Sequence, residues 1–279
     1  MLKFSLQNSP RLRTMIAVLA VSIAFGASID ARGQEPGLTG REIIETVNAR
    51  DDGAQVTRDF TLELTDRNGR TRIEQTTGYR KYFGEEKRTI IFYTDPTNVR
   101  GTGFLTFDYP NPDVDDDQWL YLPALRKVRR ISASDRGDYF LGTDFTYEEI
   151  KKEQKIEIAD YTFEAAGTET VEGVETLVVE ATPVNDDIAD ELGYSRVTLR
   201  VDPEIWMSRQ TDYYDLNGNH LKTIVLERVE TIDGIITTTQ TFVQNHKTGH
   251  STRLTFDNVD YETDVDDNLF SQARLRRGL

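Results

Sequence analysis

From Phe60 onward the chain alternates. Phe60, Leu62 and Leu64 are apolar and Thr61, Glu63 and Thr65 are polar, the period of two that puts one strand face on a core. Asn68-Gly69 then marks a hairpin turn, and residues 71–83 return. Further strands are predicted at 87–95, apolar on both faces at Ile90–Tyr93, and at 104–109, 119–122 and 127–131. Others follow at 155–159, around Phe163, and at 176–182 and 195–201, where Val197, Leu199 and Val201 share a face. The last part reads as a meander. Strands 206–214, 221–232, 235–245 and 251–259 are separated by Asn217-Gly218, Asp233-Gly234 and Thr248-Gly249. Helical periodicity is confined to short pieces. Thr39-Gly40-Arg41-Glu42 is a capping box that opens a helix over 40–51, with Ile43, Ile44 and Val47 on one side. A second helix is predicted over 143–152, capped by Thr143 or Asp144, and a helical turn over 188–192. The fold class is therefore mainly β. One antiparallel sheet of about ten or eleven strands has to curl, and the helical segments are available to cover it.

The N-terminal region has a different character. Lys3, Arg11 and Arg13 precede an apolar run from Met15 to Ala27, and small residues follow it. That is the layout of a secretory signal peptide, expected to occupy residues 1–31, and the run is too short to span a bilayer. Residues 32–279 are then expected to form a single exported domain. The sequence contains no cysteine, which excludes disulfides, zinc–thiolate sites, cysteine catalysis and a lipid-modified cysteine after the signal. The expected product is periplasmic and untethered. The formal net charge is -15. Residues 1–31 hold three bases and one acid, so the remainder carries -17. Such acidity disfavours nucleic acid as a partner and favours a soluble monomer.

One stretch departs from that acidity. Residues 119–149 read WLYLPALRKVRRISASDRGDYFLGTDFTYEE. An apolar strand ends at Pro123, and Arg126, Lys127, Arg129 and Arg130 follow. A loop then carries Tyr139, Phe140 and Leu141 between Gly137 and Gly142, with Phe145 and Tyr147 beyond. Loops of this length that hold large apolar groups lay them on a core or a ligand. The run W-L-Y-L-P-A-L-R-K-V-R-R-I, with S-D-R-G-D and G-T-D-F-T-Y-E-E after it, resembles the signature of the LolA-like outer membrane lipoprotein-sorting family. The resemblance implies an unclosed, strongly curved β-barrel with a helical lid. It also implies a periplasmic carrier that shuttles a lipid or a lipoprotein acyl chain toward the outer membrane, plausibly beside an inner-membrane transporter.

Apolar side chains in excess of a flat sheet's needs fall between residues 80 and 150. Tyr82, Phe92, Phe104, Phe107, Trp119, Tyr121, Phe140, Leu141 and Phe145 are the candidates to line a hydrophobic cavity. Arg126, Lys127, Arg129 and Arg130 are candidates to contact a headgroup or an acidic partner, or else to pair with nearby carboxylates such as Asp135, Asp138 and Glu148. Catalytic patterns are not apparent. His246 and His250 flank a hairpin turn, no G-x-S-x-G elbow occurs, and the acidic runs at 113–117 and 264–267 lack the glycine and glutamate of an EF-hand. No cofactor, metal or enzymatic activity is expected. The rival reading is a non-catalytic β-sandwich, a polysaccharide binder or an envelope assembly scaffold, with Trp119, Trp206 and Tyr213 as stacking platforms.

Overall fold

The computed structural model describes residues 37–279. The predicted signal peptide lies outside the described residues. The chain opens with α1 (Gly40–Ala49), whose capping box is formed by Thr39 and Glu42. Strands β1 (Gln55–Thr65), β2 (Thr71–Phe83), β3 (Glu86–Asp95), β4 (Gly103–Asp108), β5 (Asp117–Leu122) and β6 (Lys127–Ile131) follow. Helix α2 (Tyr147–Lys152) precedes β7 (Tyr161–Val171) and β8 (Val174–Pro183), and α3 (Asp186–Leu192) leads to β9 (Arg196–Asp202). Strands β10 (Met207–Tyr214), β11 (His220–Ile232), β12 (Ile235–Asn245) and β13 (Ser251–Asp260) form the meander, and α4 (Gln272–Arg277) ends the chain.

All thirteen strands join one antiparallel sheet in the order β6-β5-β4-β3-β2-β1-β13-β12-β11-β10-β9-β8-β7. The order explains itself. Chain-adjacent strands pair through tight turns, and the first strand of the first run pairs with the last strand of the second, Leu62 opposite Leu254. β6 and β7 are left as the two edges, so the sheet is not closed. They are also consecutive in sequence. Residues 132–160 therefore have to cross from one edge to the other.

Three differences from the sequence reading have local causes. The 155–159 segment is not a strand; it enters a 3₁₀ turn at Ile158–Asp160, where Glu157 accepts a hydrogen bond from the Ala159 amide. The second helix starts at Tyr147, because Thr143 and Asp144 are engaged elsewhere. The Thr143 hydroxyl donates to the Phe140 carbonyl, and the Asp144 carboxylate accepts from Thr252. Thr146 and Glu149 make the capping box instead. The strand around Phe163 is also longer than expected, since β7 runs to Val171 and forms a hairpin with β8 over Glu172-Gly173, with Gly173 at φ +86°.

The core is divided by face. Ile43, Ile44 and Val47 of α1 pack on Val179, Ala181, Val197 and Leu199, which covers the β8–β9 part of the sheet. Full burial of each such side chain contributes about 1.5–3 kcal/mol. Phe60, Leu62, Ile91, Phe104, Leu254 and the crossover residues Phe140, Phe145 and Tyr147 form a second cluster. The third holds Ile90, Phe92 and Leu105, which alternate with members of the second and so face the other way; Phe270 and Leu275 of the C-terminal segment seal them. Among the described residues no helix is long and apolar enough to cross a membrane.

Candidate ligand-binding site

One cavity lies where the first two clusters meet. Its volume of about 150 Å³ leaves room for on the order of ten waters. Phe60 of β1, Arg80 of β2, Ile91 of β3, Leu199 of β9, Tyr213 of β10, Ile224 of β11, Thr241 of β12 and Leu254 of β13 all line it. These are eight successive strands in the sheet order. At about 4.8 Å per strand they would span roughly 34 Å laid flat. A single cavity touches all of them only because the sheet curls around it.

The crossover covers this cavity, with Phe145, Thr146, Ile150 and the whole of residues 152–157 contributing to its wall. Its first part folds back on itself: the Phe140 amide donates to the Phe145 carbonyl at 2.7 Å, and Tyr139 bridges Thr146. Gly137 allows the backbone to meet α3. Its amide donates to the Glu191 carbonyl at 3.0 Å, and a Cβ there would stand 2.4 Å from that oxygen.

The rest of the crossover is fastened by charge. Lys222, fully buried on β11, donates to Glu149 at 2.7 Å and to the Asp144 carbonyl at 2.9 Å, beneath the rings of Tyr139, Tyr194 and Tyr213. Lys152 reaches Asp108 at 2.7 Å and Glu157 at 2.6 Å. Lys151 pairs with Asp116, and Glu153 pairs with Arg58 of β1. Arg136 binds Asp160 at 2.7 Å and Glu191 at 3.1 Å. Burial opposes ionisation of Glu153, but Arg58, Arg80 and Lys87 outweigh it and hold the carboxyl at about 2. Asp108 is likewise held at about 2 by Lys87 and Lys152, against its own burial. Burial lowers Lys222, partly offset by Glu149.

The cavity candidates named from sequence are spread over several environments. Phe145 lines the cavity. Phe104 and Phe140 are buried in the adjoining cluster, in edge-to-face contact at 5.1 Å. Tyr82 stands behind the wall, its hydroxyl on Asp52 at 3.1 Å and on Lys155 at 3.2 Å, and burial raises its phenol. Phe92, Phe107, Trp119 and Tyr121 belong to the cluster under α4, away from the cavity. Leu141 lines a second hollow of about 450 Å³ with Val99, Leu122 and Leu125. The cavity residues the sequence reading missed come mainly from the meander: Ile224 lies in the apolar run Ile224–Leu226, Leu254 and Phe256 sit on an alternating stretch, and register alone decides that they meet the first half of the sheet.

The basic run is a solvated edge. Arg130 pairs with Asp117 at 2.7 Å and Arg129 approaches Asp135 at 4.0 Å, while Arg126 and Lys127 are exposed without an ion pair among the described residues. The two acidic runs are also tied to bases, Asp116 to Lys151 and Asp264 and Asp267 to Lys81.

A family model described only as uncharacterized-protein-like matches residues 85–277. A DUF1329 family protein from Desulfovibrio piger superposes with a TM-score of 0.78 at 28% identity, over 85% of this chain and 97% of that one. A domain named as an outer membrane lipoprotein-sorting protein, from Vibrio parahaemolyticus, gives 0.77 at 27% identity, over 85% and 98%. The chain belongs to the family that this model describes, and it is LolA-like in fold. A LolA superfamily protein from Nitrosomonas europaea shares the fold of this LolA-like chain at 19% identity, with a TM-score of 0.64 over 85% and 99%. No curated protein matches it.

Proposed function

We propose that this LolA-like protein is a non-catalytic periplasmic carrier, exported by cleavage of a signal at residues 1–31, that holds a lipid or a lipoprotein acyl chain and delivers it toward the outer membrane. The observation that carries this reading is a cavity with an apolar floor, touched by eight successive strands of a curled, unclosed sheet and roofed by one crossover segment. Phe60, Ile224, Leu254 and Phe256 form the floor, and Phe145 and Ile150 press on it from above. Burial of an acyl chain there is worth about 0.8 kcal/mol per methylene. A carrier also has to release its cargo. The 132–160 crossover is the lid in this reading of the fold as an unclosed barrel. Its ion pairs hold it shut, and Gly142, at φ +81° beside Leu141 at φ +47°, is a place for it to bend. The basic edge Arg126–Arg130 is the candidate contact for an acidic partner or a headgroup when a membrane transporter hands over the cargo.

The rival sandwich reading has less support. All strands belong to one sheet, Trp119 is half-buried edge-to-face with Phe107 at 5.1 Å, and Trp206 packs against the α1 cluster. No exposed stacking platform is formed by these tryptophans. The test is mass spectrometry of an organic extract from protein purified without detergent from an envelope-bearing bacterium. The expected result is a lipid in stoichiometric amount. An empty extract, together with failure to take up a fluorescent fatty-acid probe, removes the carrier reading.

A further inference from the structure

The cavity is apolar on its floor but not neutral on its wall. Where α1 ends, Arg50, Arg58, Arg80 and Lys155 stand around two carboxylates, Asp52 and Glu153. The pairing uses both acids completely. Asp52 is shared by Arg80 and Lys155, the latter at 3.0 Å, and Glu153 is taken by Arg58. The other carboxylates on the wall have their own bases: Glu149 has Lys222, Glu157 has Lys152, Asp160 has Arg136 and Glu148 has Lys151.

Arg50 is left over. It makes no ion pair among the described residues. One terminal nitrogen donates to the carbonyls of Ile236, at 3.1 Å, and Asp51, at 3.3 Å, and its buried Nε has no acceptor. The buried Nε of Arg80, also on the wall, is unpartnered too. Burial pushes the Arg50 guanidinium down, and Asp52 and Glu153 offset this only in part. A half-buried cation without an ion pair carries a desolvation cost, and an anionic ligand would supply the countercharge. In a chain of net charge -15, a guanidinium on a cavity wall without a carboxylate of its own is also the reverse of the background.

From this imbalance we infer that the bound molecule is an anionic amphiphile. Its carboxylate or phosphate is held by Arg50 at the α1 end of the cavity, and its apolar chain runs over Phe256 and Leu254. This rests on the carrier reading and adds to it the charge of the cargo. A guanidinium presents a planar pair of donors that suits either anion, so a fatty acid and a phospholipid offer the same chemistry.

The test is displacement of N-phenyl-1-naphthylamine, a neutral dye that brightens in apolar surroundings, from the whole protein at a pH where carboxylates are ionised. Laurate, dodecyl phosphate and dodecanol share one chain and differ in the head. Both anions, or one of them, should displace the dye at a concentration about tenfold or more below that of dodecanol, because charge-assisted hydrogen bonds to a half-buried guanidinium are strong. If only one anion shows the gap, it names the source. Arg50→Gln should bring the anions to the level of the alcohol, Arg50→Lys should restore most of the gap, and added salt should narrow it in the unmodified protein. Dodecanol displacing as well as the anions, or a gap that survives Arg50→Gln, overturns the anion site and leaves the carrier standing. Absence of dye uptake and of displacement by all three removes the carrier reading itself.

Discussion

At the residue scale, the fold depends on carboxylates that stay charged under cover. Glu153 and Asp108 have ordinary values of 4.5 and 3.8 and are held at about 2. Between those values the unfolded chain takes up protons that the folded chain refuses. Their stabilisation is therefore fully present above about pH 5 and is lost as the pH falls toward 2. Each contributes on the order of 2 kcal/mol. Urea titrations at pH 7, 4 and 3 should show a midpoint that falls steadily, and Glu153→Gln should flatten part of that slope while lowering the midpoint at pH 7. A midpoint independent of pH would contradict the depressed carboxyls. Lys222 gives a second test. It is fully buried and serves Glu149 and the Asp144 carbonyl together. Lys222→Met leaves Glu149 without a countercharge, holding only the Tyr194 hydroxyl, at 2.7 Å, and the Thr146 amide, at 2.9 Å, and should cost roughly 3–5 kcal/mol. Pairing it with Glu149→Gln should recover part of that loss, as read by the thermal midpoints of both variants. Equal midpoints for the single and double variants would mean that the ion pair is not what fixes the crossover.

At the scale of elements, the strands were legible and the crossover was not. Residues 71–83 and 127–131 were bounded correctly because turn residues and alternation agree there. In the crossover, local chemistry misplaced the cap. The sequence pointed to Thr143 or Asp144, but Asp144 is taken by Thr252, distant in sequence, and the cap falls to Thr146. The site was only partly legible for a similar reason. Alternation shows that Phe92 and Ile91 point oppositely, but not which face curls inward. The C-terminal segment decided that by covering Phe92 with Phe270 and Leu275. Two predictions belong here. Gly137→Ala would drive a methyl into the Glu191 and Leu192 backbone, so it should destabilise by more than about 1 kcal/mol and raise protease cutting within 132–145; an unchanged cleavage rate would show that this contact does not anchor the crossover. Leu275→Ala empties a fully buried position against Gly103 and Phe92. It should cost about 2–5 kcal/mol and increase binding of a hydrophobic dye, because Ile90, Phe92 and Leu105 lose part of the cover that the C-terminal segment gives them.

For the whole molecule, the sheet order sets which parts can move. The β1–β13 seam closes the two halves over long sequence separation and has apolar side chains such as Leu62 and Leu254 buried along it. It cannot open without global unfolding. The crossover pairs with no strand edge over its length and is held by side-chain ions, which water can replace one at a time. Hydrogen exchange should thus separate the two. Amides of β1, β2 and β13 should exchange only through global unfolding, whereas amides of residues 144–157 should exchange through a cheaper local opening. A bound amphiphile would fill the space beneath Phe145 and Ile150. Saturation at a hundredfold excess over its dissociation constant should then slow exchange of the crossover by up to about a hundredfold if the open form does not bind, equivalent to about 2.7 kcal/mol. Equal protection across the sheet and the crossover, with or without ligand, would mean that the segment is a fixed part of the core. Cargo would then have to enter by another path, between the edges β6 and β7.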